Sequence, residues 1–334
     1  MDFPFPEPPP PGRWTEVAPG LLWARLALPF RLDHVNVYAL EDSSGWVILD
    51  TGIADEASRA AWDALLPALG PVGAVLVTHH HPDHIGLAGW LCERLSVPLW
   101  TSRTAFLSAT ALAHAPGLLE AEEYGRLYAA HGMPPALADR VRTLGHAYLR
   151  RLTLPPRTYR RLSAGMRLRL GGRDWSVLSA DGHAPEQILL HAPADGLLIA
   201  ADQVIERISP NVSASAFEPE GDPVGEFRAG LAMLGREVGE GALVLPGHRR
   251  PFRGLHERIA ELDRHHEARC DLIRAACAER PRTAAELLPV VFPRPLDPHK
   301  TGFAVGEVIA HANHLVARGL LRWEESGGLR RLAA

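Results

Sequence analysis

The chain has 334 residues, 46% hydrophobic and 22% charged, with 30 Gly and 29 Pro, an ordinary globular composition with room for two domains or one large domain with an appendage. A formal net charge of -4 argues against nonspecific capture of nucleic acid, and the longest apolar runs fall far short of the ~20 residues of a membrane span. Three Cys without a CxxC spacing exclude a disulfide scaffold, so a cytoplasmic globular protein is expected.

Residues 1–12 hold six Pro and no basic cluster, which predicts an extended tail rather than a signal peptide. Strand-like stretches follow at Leu21–Leu28, Val35–Glu41 and Trp46–Asp50, then a helix over Ala54–Leu69 with Ala57, Ala61, Leu65 and Leu69 on one face. Ala74–Thr78 is an apolar run of the kind buried on both faces, followed by a helix over Ile85–Leu95 and a short strand near Pro98–Trp100. Residues 103–151 read as helices with Gly and Pro breaks, and form a helical insertion. Strands resume at Met166–Leu170, Asp174–Leu178, Gln187–His191, Leu197–Ala200 and Gly241–Leu245. Sheet and helix in both halves predict a layered α/β domain over residues 13–255.

From residue 256 the order is helix (His256–Ala278), helix (Thr283–Val290), helix (Ala304–Ala317) and two short strands around Gly327-Gly328. That order predicts a small winged-helix-like domain over 256–334. Its 12 Lys/Arg against 11 Asp/Glu are no phosphate-binding footprint, so nucleic acid is disfavoured and packing against the body or in a homodimer is expected. Glu307, His311 and His314 share one face of the last helix; a polar face opposite the apolar one accounts for them better than a metal site.

The chemistry concentrates in Thr78-His79-His80-His81-Pro82-Asp83-His84, four imidazoles and a carboxylate within six residues after a buried strand. An apolar strand delivering histidines into solvent has no structural purpose. Neutral imidazole with carboxylate suits a borderline divalent ion such as zinc. In an extended turn His79 and His81 project to one side, with Asp83 and His84 one bend further on, so the loop can face two ions. His80 is expected to point away. Gly182-His183, Asp202 and Gly247-His248 end other strands in the same manner, where α/β proteins keep their sites.

This segment matches the THxHxDH signature of the metallo-β-lactamase-fold hydrolases. Asp50-Thr51-Gly52 is similar to the family's upstream DTG turn, and the three later elements fall in its order. The resemblance spans about Leu21 to Phe252 and implies an αββα sandwich binding two divalent metal ions, usually zinc, with iron or manganese as alternatives. By that resemblance one ion takes His79, His81 and His183, the other takes Asp83, His84 and His248, and Asp202 bridges them. Asp50 is expected to fix the histidine loop rather than bind metal. The helical insertion and the tail resemble the glyoxalase II and lactamase-β-2-like branch, whose members include thioesterases and an endoribonuclease. No counterpart of the glutathione-binding residues of glyoxalase II is present.

Two such ions ~3.5–4 Å apart can hold a bridging hydroxide of near-neutral pKa that attacks a carbonyl or phosphorus centre. Asp83 is expected to orient that nucleophile and take up its proton. The expected reaction is hydrolysis of a small acyl substrate: a thioester first, a lactone or ester second. The alternatives are metal-dependent RNA cleavage, a mononuclear iron persulfide dioxygenase using His79, His183 and Asp202, and a nucleic-acid-binding regulator acting through the tail. GxSxG, GxGxxG, GxxxxGK[ST] and HExxH motifs are absent, and the 45 residues between Asp202 and His248 leave no room for a nuclease insertion. Arg207, Asn211 and Arg249 are candidate substrate contacts, and Tyr124, Tyr128 and Tyr148 candidate cleft residues.

Overall fold

Apolar runs with no polar face to offer water can only form strands covered on both sides. In the computed structural model, which describes all residues except 116–121, 146–149, 295 and 297, the strands at His34–Leu40, Gln187–Ala192 and Leu197–Ala201 are buried at every position. The described chain falls into two compact units, the first being Met1–Ala115, Leu149–Pro210 and Gly230–Ile259, the second Pro116–Tyr148, Asn211–Ala229 and Ala260–Ala334.

In the first unit β1 (Thr15–Ala18), β2 (Leu21–Ala27), β3 (His34–Leu40), β4 (Trp46–Leu49), β5 (Val72–Leu76), β6 (Leu99–Thr101) and β7 (Tyr159–Arg161) lie side by side in chain order. The pairing is antiparallel as far as β4 and parallel beyond it. Between them run α1 (Glu56–Leu65), α2 (Pro82–Ile85), α3 (Ala88–Leu95) and α4 (Arg103–His114). The caps are local: Asp55 accepts from Ser58 N at the start of α1, and Ser102 from Ala105 N at the start of α4. A second sheet runs β12-β11-β10-β9-β8, from β8 (Arg167–Leu170), β9 (Arg173–Ala180), β10 (Gln187–Ala192), β11 (Leu197–Ala201) and β12 (Leu243–Pro246).

One core lies between the sheets: Trp23, Leu40, Leu49 and Leu76 from one meet Trp175, Ile188, Leu190 and Leu245 from the other. The opposite face of the first sheet, with Leu26, Val37, Ile48 and Val75, packs on Trp62 and Leu65 of α1, Leu91 of α3 and Ala109 of α4. This is an α/β sandwich of the expected class. Three expectations are corrected. The predicted helix over Ile85–Leu95 is two pieces, α2 and α3. The predicted helix over Ala54–Leu69 ends at Leu65 and continues as a 3-10 turn through Pro67. Residues 1–12 are no free tail: Asp2 and Arg253 exchange main-chain hydrogen bonds, Phe5 lies edge-on to Trp23, and the Arg250 guanidinium stacks on Phe3. Two phenylalanines among the prolines make docking more favourable than exposure.

The second unit holds α5 (Glu122–Ala130), α6 (Pro135–Gly145), the start of α7 (Pro223–Glu237), most of α8 (Leu255–Glu279), α9 (Ala284–Val291) and α10 (Pro298–Ala317). The hairpin β13 (Arg322–Ser326) and β14 (Leu329–Ala333) follows. Thr283 and Glu286 form a reciprocal capping box on α9. The expected polar face of α10 is buried: Glu307, His311 and His314 are 8%, 0% and 7% exposed. Each has a partner instead. Arg269 pairs with Glu307, His314 Nδ1 meets Asp222 at 3.0 Å, and His311 Nδ1 donates to Glu307 O at 2.7 Å.

That last bond fixes the His311 tautomer, so its Nε2 accepts from His266 Nδ1 at 3.0 Å. Burial, then the neighbouring His311, pushes His266 down to about 2, and burial, then Arg269, pushes His311 down to about 3. The unfolded chain takes up protons here near pH 6.5, whereas the folded unit does not. The pair's contribution to stability is therefore whole above that pH and lost as the pH falls below it. Wild-type stability is expected to fall between pH 7 and pH 5 more steeply than that of His311→Gln, by up to about 1.4 kcal/mol per pH unit. Parallel pH profiles in thermal melts would show that the pair is not held neutral.

Candidate metal centre

Five strand ends converge. β4 runs into Asp50, β5 into the 78–84 loop, β9 into Gly182-His183, β11 into Asp202 and β12 into Gly247-His248. Asp50, Ala201 and Arg249, each beside or within this cluster, have left-handed backbones with φ of 60°, 44° and 69°, a strain that non-glycine residues carry mainly at functional sites. Gly182 turns at φ 94°, as a glycine before a ligand should. Gly247 serves a different purpose. A Cβ there would stand 2.2 Å from Asp202 Oδ1.

The donor atoms fall into three overlapping groups, His79/His81/His183, His79/His84/Asp202 and Asp83/His84/His248, each within 4.8 Å. The hydrogen bonds behind them decide which atoms face inward. Asp50 accepts from Thr78 N at 2.8 Å, from Thr78 Oγ1 at 2.9 Å and from His84 Nδ1 at 2.7 Å. Thr78 Oγ1, its proton given to Asp50, accepts from His79 Nδ1 at 3.0 Å. His248 Nδ1 donates to the His34 carbonyl at 2.7 Å. Each bond uses the Nδ1 proton, so the Nε2 atoms of His79, His84 and His248 turn towards the cluster. Asp50 thus sits behind the histidines.

The inward atoms leave a demand for positive charge. His81 Nδ1 lies 3.1 Å from His79 Nε2 and 3.0 Å from His183 Nε2. His84 Nε2 and Asp202 Oδ1 are buried without a hydrogen-bond partner, 3.6 Å apart. Burial holds His79 and His81 well below the usual imidazole range. At His248 burial also pulls downward, but Asp202 and Asp83 push it up to about 10, and Asp202, Asp50 and Asp83 raise His84 in the same way. Crowded imidazole lone pairs beside two carboxylates that recruit positive charge fit a divalent cation by chemistry and by position.

His80 stands outside these groups. Its half-buried ring is pushed down to about 4 by burial. Arg207 is tied to Glu206 at 3.2 Å. Arg249 follows His248 directly, with its Nε buried and no carboxylate within ion-pair distance among the described residues. Asn211 belongs to the second unit and accepts from Ser213 Oγ at 2.9 Å. In that unit Tyr124 lies edge-on to the exposed Phe217 and tilted towards Tyr128; Tyr148 lies outside the described residues. Sequence reasoning missed Gln187, whose Oε1 accepts from Asp202 N at 3.2 Å, and Asn36, whose Nδ2 donates to Pro246 O at 2.8 Å. Their one signal is a carboxamide side chain in a strand that is buried at every position.

Residues 30–258 match the profile described as "Metallo-beta-lactamase superfamily", and residues 270–333 one described as "Metallo-beta-lactamase-like, C-terminal domain". The chain is 25% identical over 281 residues to "Probable metallo-hydrolase YqjP" of Bacillus subtilis, covering 80% of this chain and 84% of that protein. Among solved structures it is similar to a beta-lactamase domain protein from Burkholderia ambifaria, with TM-score 0.91 and 41% identity, covering 99% of this chain and 97% of the other. A metallo-beta-lactamase family protein from Thermus thermophilus superposes with TM-score 0.81 at 30% identity, covering 95% and 99%.

Proposed function

The chain belongs to the metallo-beta-lactamase superfamily, and from that footing we propose that it is a two-metal, zinc-dependent hydrolase of small acyl substrates, thioesters before lactones and esters. The observation that carries the reading is that Asp83, His84 and His248 converge as closely as His79, His81 and His183 do, with Asp202 Oδ2 3.4 Å from His183 Nε2 and 3.3 Å from His248 Nε2. A single iron held by His79, His183 and Asp202 would leave Asp83, His84 and His248 without employment.

The bound ions would supply a water of lowered pKa and polarise the substrate's carbonyl. The protein's own residues do the rest. His79, His81 and His183 hold one side, His84, His248 and Asp83 the other, and Asp202 lies between. Asp83, with its side chain 19% exposed against 7% for Asp202, is the carboxylate an incoming substrate meets, and takes up the proton of the attacking water.

The arginines after His248 support a small anionic substrate over a polyanion. Glu206 takes both Arg250, at 2.6 Å, and Arg207, while the Arg253 guanidinium donates to Gly241 O. That leaves Arg249 to hold one substrate carboxylate. The test is the metal content of purified protein, then turnover of S-lactoylglutathione and a panel of thioesters and lactones with and without a carboxylate. Close to two ions per chain are expected, with metal-dependent turnover and a KM about tenfold or more higher in Arg249→Ala for carboxylate-bearing substrates only. RNA cleavage by fully metallated protein that leaves the whole panel intact would discard the reading.

A further inference from the structure

We propose that Asn36 is a positioning residue for the His248 side of the metal centre, an inference that rests on reading the cluster as a metal site. Asn36 is fully buried in the middle of β3, where a carboxamide is tolerated only if its donors and acceptor find partners. All are used. Its Oδ1 accepts from Trp23 Nε1 at 2.9 Å and from Arg25 Nε at 3.2 Å, while its Nδ2 donates to Pro246 O at 2.8 Å and to Arg249 O at 2.9 Å. An indole and a guanidinium can only face an oxygen, so the amide cannot turn over.

The main chain continues the grip. Asn36 N donates to Gly247 O at 2.7 Å, and Tyr38 Oη donates to Pro246 O at 2.7 Å. One residue on β3 therefore holds carbonyls on both sides of His248, which is itself pinned through His34 O, two residues before Asn36. The grip is needed because Arg249, at φ 69°, is in a conformation a non-glycine residue leaves when unsupported. Arg25 Nη2 donates to the same Arg249 O at 2.5 Å, and Arg249 N donates to His34 Nε2 at 2.9 Å. The result is read at the imidazole: His248 Nε2 stands 3.3 Å from both Asp83 Oδ2 and Asp202 Oδ2. His79 and His84 are oriented by Thr78 and Asp50 side chains, whereas His248 leans on a backbone carbonyl and depends on the strand-to-loop ties that Asn36 makes.

Asn36→Asp isolates the donor. Trp23 and Arg25 keep their acceptor, but an oxygen of the same shape then faces Pro246 O and Arg249 O. Zinc binding by the full chain is measured by competition with a chromophoric chelator, and the visible spectrum is recorded after cobalt loading. Leu65→Ala, in the α1 core, is the comparison for plain loss of stability. Asn36→Asp is expected to bind the weaker equivalent roughly 10–100-fold less tightly, with the tighter equivalent unchanged and the cobalt spectrum altered; Leu65→Ala should lower the melting temperature without either effect. Wild-type binding of both equivalents in Asn36→Asp, or an equal loss in Leu65→Ala, overturns the proposal. Absence of any bound zinc in wild type overturns the metal-centre reading itself, and a single equivalent overturns the two-metal reading. If Asn36→Asp does not fold, Arg25→Met, which frees Arg249 O from one of its donors, must show the same selective loss or the proposal fails.

Discussion

Asp83→Asn is expected to lower metal-dependent hydrolysis by about two to four orders of magnitude, the range a positioned general base contributes, while thermal melting stays close to wild type. The variant keeps the shape of the side chain and a carbonyl oxygen near His248 Nε2, which lies 3.3 Å from Asp83 Oδ2 in the wild type. What it loses is a negative charge and an atom able to take a proton. Asp202 cannot stand in, because its side chain is only 7% exposed and faces His84, His183 and His248. The check is kcat/KM under saturating zinc, together with metal content, so that a lost ion is not mistaken for a lost base. Wild-type rates in a fully metallated variant would remove Asp83 from the chemistry.

Gly247→Ala should be nearly as damaging, through space alone. The new methyl would stand 2.2 Å from Asp202 Oδ1, 2.8 Å from His84 Cε1 and 3.4 Å from Ala201 C. Asp202 has little freedom to move away. Its N–H is held by Gln187 Oε1, and Gly247 N itself donates to Ala201 O at 2.7 Å. Overpacking of this kind costs about 1–3 kcal/mol, and displacing the shared carboxylate should weaken metal binding by at least about tenfold. Gly239→Ala, where nothing lies within 4 Å of the new methyl, is the control and should be silent. A full metal complement in Gly247→Ala after passage through a chelator would falsify the crowding argument.

Much of the layout was legible because it is local. An apolar strand running straight into His79, His81, Asp83 and His84 can be read from neighbours in sequence, and so can Asp50 beside Thr51-Gly52. Two short elements escaped. β1 and β7 carry no apolar run to mark a strand, only Val17 and Ala18 in the one and Tyr159 beside two arginines in the other. The sequence reading also leaves residues 223–237 unassigned. Their helix, α7, keeps Gly230 because a Cβ there would meet Gln203 Nε2 at 2.6 Å and Ala180 at 3.1 Å, a reason that exists only once the chain has folded.

The sequence by itself determined the α/β class and the strand-to-loop histidine motif, since each depends on composition or on neighbours a few positions apart. Tertiary structure alone decided which ring nitrogen of His84 and of His248 faces inward, because His84 takes its orientation from Asp50 and His248 from His34, 34 and 214 residues away. It decided that the stripe of Glu307, His311 and His314 is buried rather than wet, and that Asn36 grips a loop 210 residues distant. Hydrogen-bond direction and burial belong to pairs of groups, and no spacing along one strand or helix encodes a pair that only the packed fold brings within 3 Å.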